Sequence, residues 1–252
     1  MSIKTFNSFL LAVALMSSTF FLNSCDKDAE NANLKFHWHT QLGDLPIAYN
    51  LGFETENGRQ LSLSDCRYYL SNIVLIQENG TELPIGDTVF LVSPSERDYD
   101  LGSVPTGNYK GFKLMLGIDS LRNHADPTLQ PVGSPLAVQT PSMHWSWNSG
   151  YLFFRLEGMV DSTTTSDQAP NKEFSYHVGT DALSRQIDFS TSAFSVSGKE
   201  GDENEIGIIF DVLKVLEDID LTTEFSSHTF DNLPLATKIA NSWQDAITVE
   251  EE

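Results

Sequence analysis

Residues 143–158 read MHWSWNSGYLFFRLEG, and their period decides what kind of chain this is. Placed on an extended backbone, Trp145, Trp147, Tyr151 and Phe153 fall on one face, and His144, Leu152, Phe154 and Leu156 fall on the other. Gly150 is a position where a bulge would exchange the two faces. An ordinary core strand is built of Val, Ile and Leu. This one carries aromatic area with polar tips, as suits a strand that lines a site at its start and fills a core at its end. Arg155 and Glu157 share a face and read as a structural ion pair, not a catalytic one.

The same period recurs on both sides. Leu34–Thr40 sets Leu34, Phe36 and Trp38 against Lys35, His37 and His39. Arg67–Gln77, Tyr109–Asp119 and Phe174–Gly179 are further strands, and Asn57-Gly58 and Asn79-Gly80 are hairpin signals. The run from Ile206 to Leu213 is nearly all apolar and predicts burial on both faces. Ser120–Pro141 holds four prolines and little periodicity, so it reads as a long ordered excursion that shapes a site. Asp161–Asn171 reads as a mobile polar loop. Helical character is confined to the tail, where Asn232 caps, Pro234 enters the first turn, and Leu235, Ile239 and Trp243 form one stripe. Many short strands and one late helix predict an all-β fold. The expected form is an antiparallel β-sandwich, Ig-like or jelly-roll-like, with long loops, in a single domain over 33–248.

The first 24 residues stand apart. Lys4, an apolar run over Phe9–Leu22, and Leu22-Asn23-Ser24-Cys25 read as a leader whose end resembles a bacterial lipobox. Cys25 would then become the lipidated first residue and 25–32 a tether, which predicts anchoring in the cell envelope at the outer membrane. Cys66, left without a partner, reads as a small buried hydrophobe. A net charge of −20 makes nucleic acid an unsuitable partner, because phosphate binding needs the opposite sign.

Enzyme signatures are missing: no G-x-S-x-G, no H-E-x-x-H, no phosphate loop and no dinucleotide fingerprint. The chain therefore reads as a binding protein. Histidines offer the better chemistry. His37 and His39, two apart on a strand, share a face and can share an ion, and His177 and His144 are further imidazoles on strands. Set against a metal role is a metal-independent surface binding or adhesion sandwich, using Trp145, Trp147 and Tyr151 as an aromatic platform. His124 and His228 lie in loop-like surroundings and read as surface residues.

Phe36-His37-Trp38-His39, Arg67–Ile73 (RYYLSNI), Pro105–Tyr109 (PTGNY), Gly117-Ile118-Asp119, Met143–Tyr151, Leu156-Glu157-Gly158 and Tyr176–Gly179 (YHVG), in that order, resemble the MbnP-like family of methanobactin-associated periplasmic proteins and copper-repressible surface proteins. The resemblance spans about residues 33 to 215 and implies a β-sandwich-like domain that binds copper through two histidines and a tryptophan oxidised to kynurenine. Ring opening makes sense for such a ligand, because an indole N–H only donates whereas kynurenine carries an amine. His39 matches the first family histidine and His177 the later one, with Trp145 and Trp147 as candidates for oxidation. His144 stands where the family has an aromatic residue. The partners so implied are a copper ion, a dihaem cytochrome c peroxidase-like enzyme that performs the oxidation, and a TonB-dependent outer-membrane transporter.

Overall fold

The structure, a computed structural model, describes residues 30–55, 57–145 and 150–250. The leader, Cys25 and Trp147 lie outside the described residues. In chain order the strands begin with β1 (Asn31–Leu42), β2 (Leu45–Pro46), β3 (Phe53–Glu54), β4 (Gln60–Gln77), β5 (Glu82–Pro84), β6 (Val89–Val92), β7 (Asp98–Pro105) and β8 (Gly107–Leu116). A one-turn helix α1 (Ser120–Asn123) opens the long excursion, which ends at β9 (Phe154–Val160). There follow β10 (Lys172–Val178), β11 (Arg185–Phe189), β12 (Phe194–Val196), β13 (Glu203–Asp211), α2 (Val212–Leu216), β14 (Ser226–Ser227), α3 (Leu233–Ala246) and β15 (Ile247–Val249).

These strands make two sheets around one core, the all-β sandwich that the alternation predicts. The smaller runs β15-β13-β1, with β7 and β2 on the far side of β1; the larger runs β11-β8-β4-β9-β10-β14, with β12 on β8 and β3, β5 and β6 on β4. Most pairings are antiparallel, but β1 lies parallel to β13 through nine residue pairs, Asn33↔Glu203 to Gln41↔Asp211. Among the described residues no helix is long and apolar enough to cross a membrane.

Strand β1 explains the inner layer. Leu34, Phe36 and Trp38 are buried on one side, and Lys35, His37 and His39 are partly exposed on the other. Phe36 packs against Phe112 of β8, and Trp38 reaches Tyr68 of β4, so the smaller sheet meets the larger through its even-numbered residues. The Tyr68 hydroxyl accepts from Trp38 Nε1 at 2.6 Å and lies 2.7 Å from Thr40 Oγ1, which leaves none of these buried polar groups stranded. Helix α3 forms as expected: the Asn232 side chain accepts from the Leu235 amide, and Leu235, Ile239 and Trp243 are buried, Trp243 against Phe154. Cys66 is fully buried, and burial raises its thiol pKa far above the usual range.

Three expectations change. Among the described residues of 143–158, regular strand pairing starts at Phe154, and before it lie an isolated bridge, His144↔Tyr151, and single backbone bonds from Phe153 to Val178 and Tyr69. The apolar run of β13 is not buried on both faces. Ile206, Ile208 and Phe210 point inward, while Gly207 and Ile209 face the outer side of the smaller sheet and are half-exposed; the run then bends at Asp211 into α2, which periodicity did not reveal. The loop after β9 is tied down. Fully buried Asp161 accepts from the amides of Thr163 and Gln168, and Arg59 donates to the Asp161 carbonyl.

Replacing Tyr68 by Phe is expected to cost about 1–3 kcal/mol, since it orphans the buried Trp38 indole N–H. Urea unfolding checks this, and a variant as stable as the parent would show the hydroxyl bond to contribute nothing.

Candidate metal centre

Strand register builds a charged lattice on the outer face of the larger sheet. Asp65, Glu157 and Ser175 lie in one row across β4, β9 and β10, and Arg67, Arg155 and His177 in the next. Two arginines directly opposite would repel. Asp65 relieves this: it accepts from Arg67 Nε at 2.8 Å and Nη2 at 2.6 Å, and lies 2.7 Å from Arg155 Nε. Arg155 Nη2 then reaches Glu157 Oε1 at 2.7 Å, the expected structural pair, and the same oxygen lies 2.7 Å from His177 Nε2. Side-chain exposures of 9% for Asp65, 13% for Arg155 and 12% for His177 keep water from competing for these bonds.

His177 is held in a defined state. Burial lowers its pKa below the usual imidazole value, and the opposing pull of Glu157 does not restore it. A neutral ring this close to a carboxylate carries its hydrogen on Nε2, donates it to Glu157, and keeps its lone pair on Nδ1. That is the arrangement of a metal-ligating histidine, whose second nitrogen is fixed by a carboxylate.

A second imidazole stands beside it. The parallel bridge of β10 with β14 sets Tyr176 against Ser227, which brings His228 next to His177, ring centres 4.9 Å apart and 84° between planes. His228 Nδ1 lies 3.0 Å from Asp231 Oδ2, and its backbone N–H donates to Asp231 Oδ1 at 2.6 Å. Desolvation opposes ionisation of Asp231, but the His228 amide and ring outweigh it and hold the carboxyl below its usual range. Thr229, at φ 64°, bolts this loop to β10: its hydroxyl donates to the His177 carbonyl at 2.9 Å and accepts from the Gly179 amide at 3.0 Å.

Trp145 closes the end of the same strand. Its ring covers Gly179, where an added Cβ would lie 2.8 Å from Trp145 and 2.3 Å from the Tyr151 carbonyl, and it packs 6.2 Å from Phe230. Trp145 is 4% exposed and Tyr151 1%, so these two form no exposed platform, and the adhesion reading loses them as a ligand surface. Tyr151 is held by the preceding excursion: Asn123 accepts from the Tyr151 amide, and the Tyr151 hydroxyl donates to the Leu136 carbonyl. His144 also changes role. Its Nε2 lies 3.3 Å from the Gly150 amide and accepts from it, so the lone pair is engaged by the backbone and is not offered to a metal; burial lowers its pKa.

His37 and His39 do share a face, with ring centres 4.6 Å apart, His37 Nδ1 2.6 Å from Asp98 and His39 Nε2 3.8 Å from Glu250. They do not meet His177. Both point out of the smaller sheet, whereas His177 points out of the larger, and Trp38, Tyr68 and Phe154 are stacked between. With sheets about 10 Å apart before side chains are added, one ion cannot bridge His39 and His177. The sequence missed His228 and Asp231 as members of this constellation, and assigned Glu157 to Arg155 alone. Their spacing, H-x-x-D, was a local sign, but a two-residue parallel bridge has no pattern to read. Among the described residues no three His, Cys, Asp or Glu side chains converge as a metal cage, so an ion at His177 would draw part of its coordination from other donors.

Comparison with known proteins agrees with this architecture. The family model described as MbnP matches residues 31–232. Among solved structures, MbnP from Methylosinus trichosporium is similar in fold, with a TM-score of 0.56 and 13% identity over 79% of this chain and 84% of that one. No curated protein matches the sequence.

Gly179→Ala is expected to cost about 1–3 kcal/mol through overpacking against Trp145 and the Tyr151 backbone, and to shift the Trp145 fluorescence; unchanged stability and emission would refute the close contact. The His177 stabilisation has a defined sign. Because folding depresses this imidazole's pKa, its contribution is complete above the unfolded value of about 6.5 and is lost as pH falls through the folded one. An NMR titration should place the His177 midpoint below that of a model imidazole; a raised midpoint would mean that Glu157 holds an imidazolium.

Proposed function

The chain belongs to the MbnP family, and from that premise we propose that it binds copper outside the cytoplasm, for acquisition or handling and not for turnover. The observation that carries the reading is His177, a neutral imidazole fixed through Nε2 by Glu157 with its other nitrogen left as an acceptor. Imidazole suits copper, and only the deprotonated ring binds it. Copper is the cargo here. The chain's own part is to keep His177 unprotonated and aimed, with Trp145 and, in the adjoining sequence, Trp147 as the indoles open to oxidation to kynurenine. A dihaem cytochrome c peroxidase-like enzyme is the proposed oxidant and a TonB-dependent transporter the proposed recipient. Lipid on Cys25 would hold the protein at the outer membrane.

A second location rests on its own observation: the His37–His39 rings are 4.6 Å apart on the opposite face, with Asp98 anchoring His37. Copper titration of the metal-free protein against a chromophoric chelator separates the two. His177→Ala is expected to weaken binding at least tenfold, a loss of about 1.4 kcal/mol or more, and His39→Ala to leave the tightest site intact; equal affinity in parent and both variants refutes copper at either place. Intact mass of protein isolated from its native cell is expected to show the change of one tryptophan to kynurenine, and an unmodified mass would remove kynurenine from the ligand set.

A further inference from the structure

We propose that His228 is the second imidazole of the copper site, binding through Nε2 together with Nδ1 of His177, in the place that the family resemblance gives to His39. This rests on the reading of the protein as a copper binder and goes beyond it by naming a ligand outside the motifs that carry the resemblance. Three observations carry it. The two rings are neighbours, 4.9 Å between centres, and imidazoles that share an ion at about 2 Å per nitrogen have centres no more than about 6 Å apart. Each ring has one nitrogen committed to a different carboxylate, His177 Nε2 to Glu157 at 2.7 Å and His228 Nδ1 to Asp231 at 3.0 Å. The nitrogens that remain are the two available to a metal, and the carboxylates orient the rings and raise their basicity as ligands.

The backbone supports the same conclusion. His228 sits in no regular element beyond the β14 bridge, yet its position is fixed from both sides. Ser227 Oγ accepts from the Thr229 amide at 3.2 Å and donates to the Asn232 carbonyl at 3.0 Å, while the Thr229 hydroxyl joins the His177 carbonyl and the Gly179 amide. Thr229 is wholly buried although its φ is +64°, a conformation that a β-branched residue adopts at a cost. What that strained residue achieves is to set His228 on one side of itself against His177, and Phe230 on the other against Trp145. The loop thus gathers the imidazole pair and the indole at one end of β10. Glu157 and Asp231 flank the pair, Glu157 sharing its charge with Arg155 and Asp231 paired with His228.

The test uses the mature chain loaded with Cu(II) or Cu(I) alone and compares the parent with His228→Ala, His228→Gln, His177→Ala and His39→Ala. Expected are at least a tenfold loss of affinity in His228→Ala and His228→Gln, and loss of one of two equatorial imidazole nitrogens from the Cu(II) electron paramagnetic resonance pattern, with His39→Ala unchanged in both. Thermal unfolding of each variant identifies any that lost the fold, and the His228→Gln form, which keeps a hydrogen-bonding side chain for Asp231, then decides. Parent-like affinity and an unchanged nitrogen pattern in a folded His228 variant, with His177→Ala impaired, overturn this proposal and leave the copper reading standing. A parent protein that binds no copper overturns both.

Discussion

Everything in this fold hangs on a phenol oxygen in the middle of the sandwich. Tyr68 comes from the larger sheet, and its hydroxyl serves Trp38 and Thr40 of the smaller one, so the two layers are joined by directional bonds as well as by apolar contact. A purely apolar interface would tolerate sliding by a residue. A buried hydroxyl that must meet one indole N–H does not, since a slip would leave each unpaired. The period of β4 then carries this fixed register outward: with Tyr68 inside, Arg67 must be outside, opposite Arg155, which stands opposite His177. The charged lattice is in this sense the outer imprint of the inner core.

That lattice does a different job from a surface salt bridge. Exposed ion pairs contribute little, but here the side chains are mostly out of water and each charge has at least one opposite neighbour. The arrangement holds a neutral imidazole against a carboxylate that an isolated pair would use to attract a proton. Burial is the main cause, and Arg155 adds to it, because it already occupies Glu157 and opposes a second positive charge beside it.

Much of this was legible in the sequence and some of it was not, for physical reasons. Alternation in Leu34–Thr40 gave Trp38 inside and His37 and His39 outside, and the Asn232 cap and the Leu235–Ile239–Trp243 stripe gave α3, because both depend on neighbours within a few residues. Which outer face a strand belongs to depends on partners far away. His39 and His177 look alike as half-buried histidines on strands, yet they lie on opposite sides of the core, a fact fixed by β1 pairing with β13 and β10 with β9. Tyr151 alternates with its neighbours in sequence, yet its amide and hydroxyl bond to Asn123 and Leu136 of the preceding excursion, and among the described residues backbone bonds to neighbouring strands begin only at Phe153. His228 carried only the local H-x-x-D sign, because its place beside His177 comes from the short parallel bridge of β10 with β14.

The parallel pairing of β1 with β13 has a consequence for how this chain comes into being. One of the two flanking neighbours of β1 lies about 170 residues downstream, as the Asn33–Glu203 contact shows. Closing so long a loop is slow, and no local contact can substitute for it. A chain delivered starting from its N-terminus therefore holds an open strand edge, with Phe36 and Trp38 beside it, until residue 211 has arrived, and through that interval it depends on being shielded from its own kind.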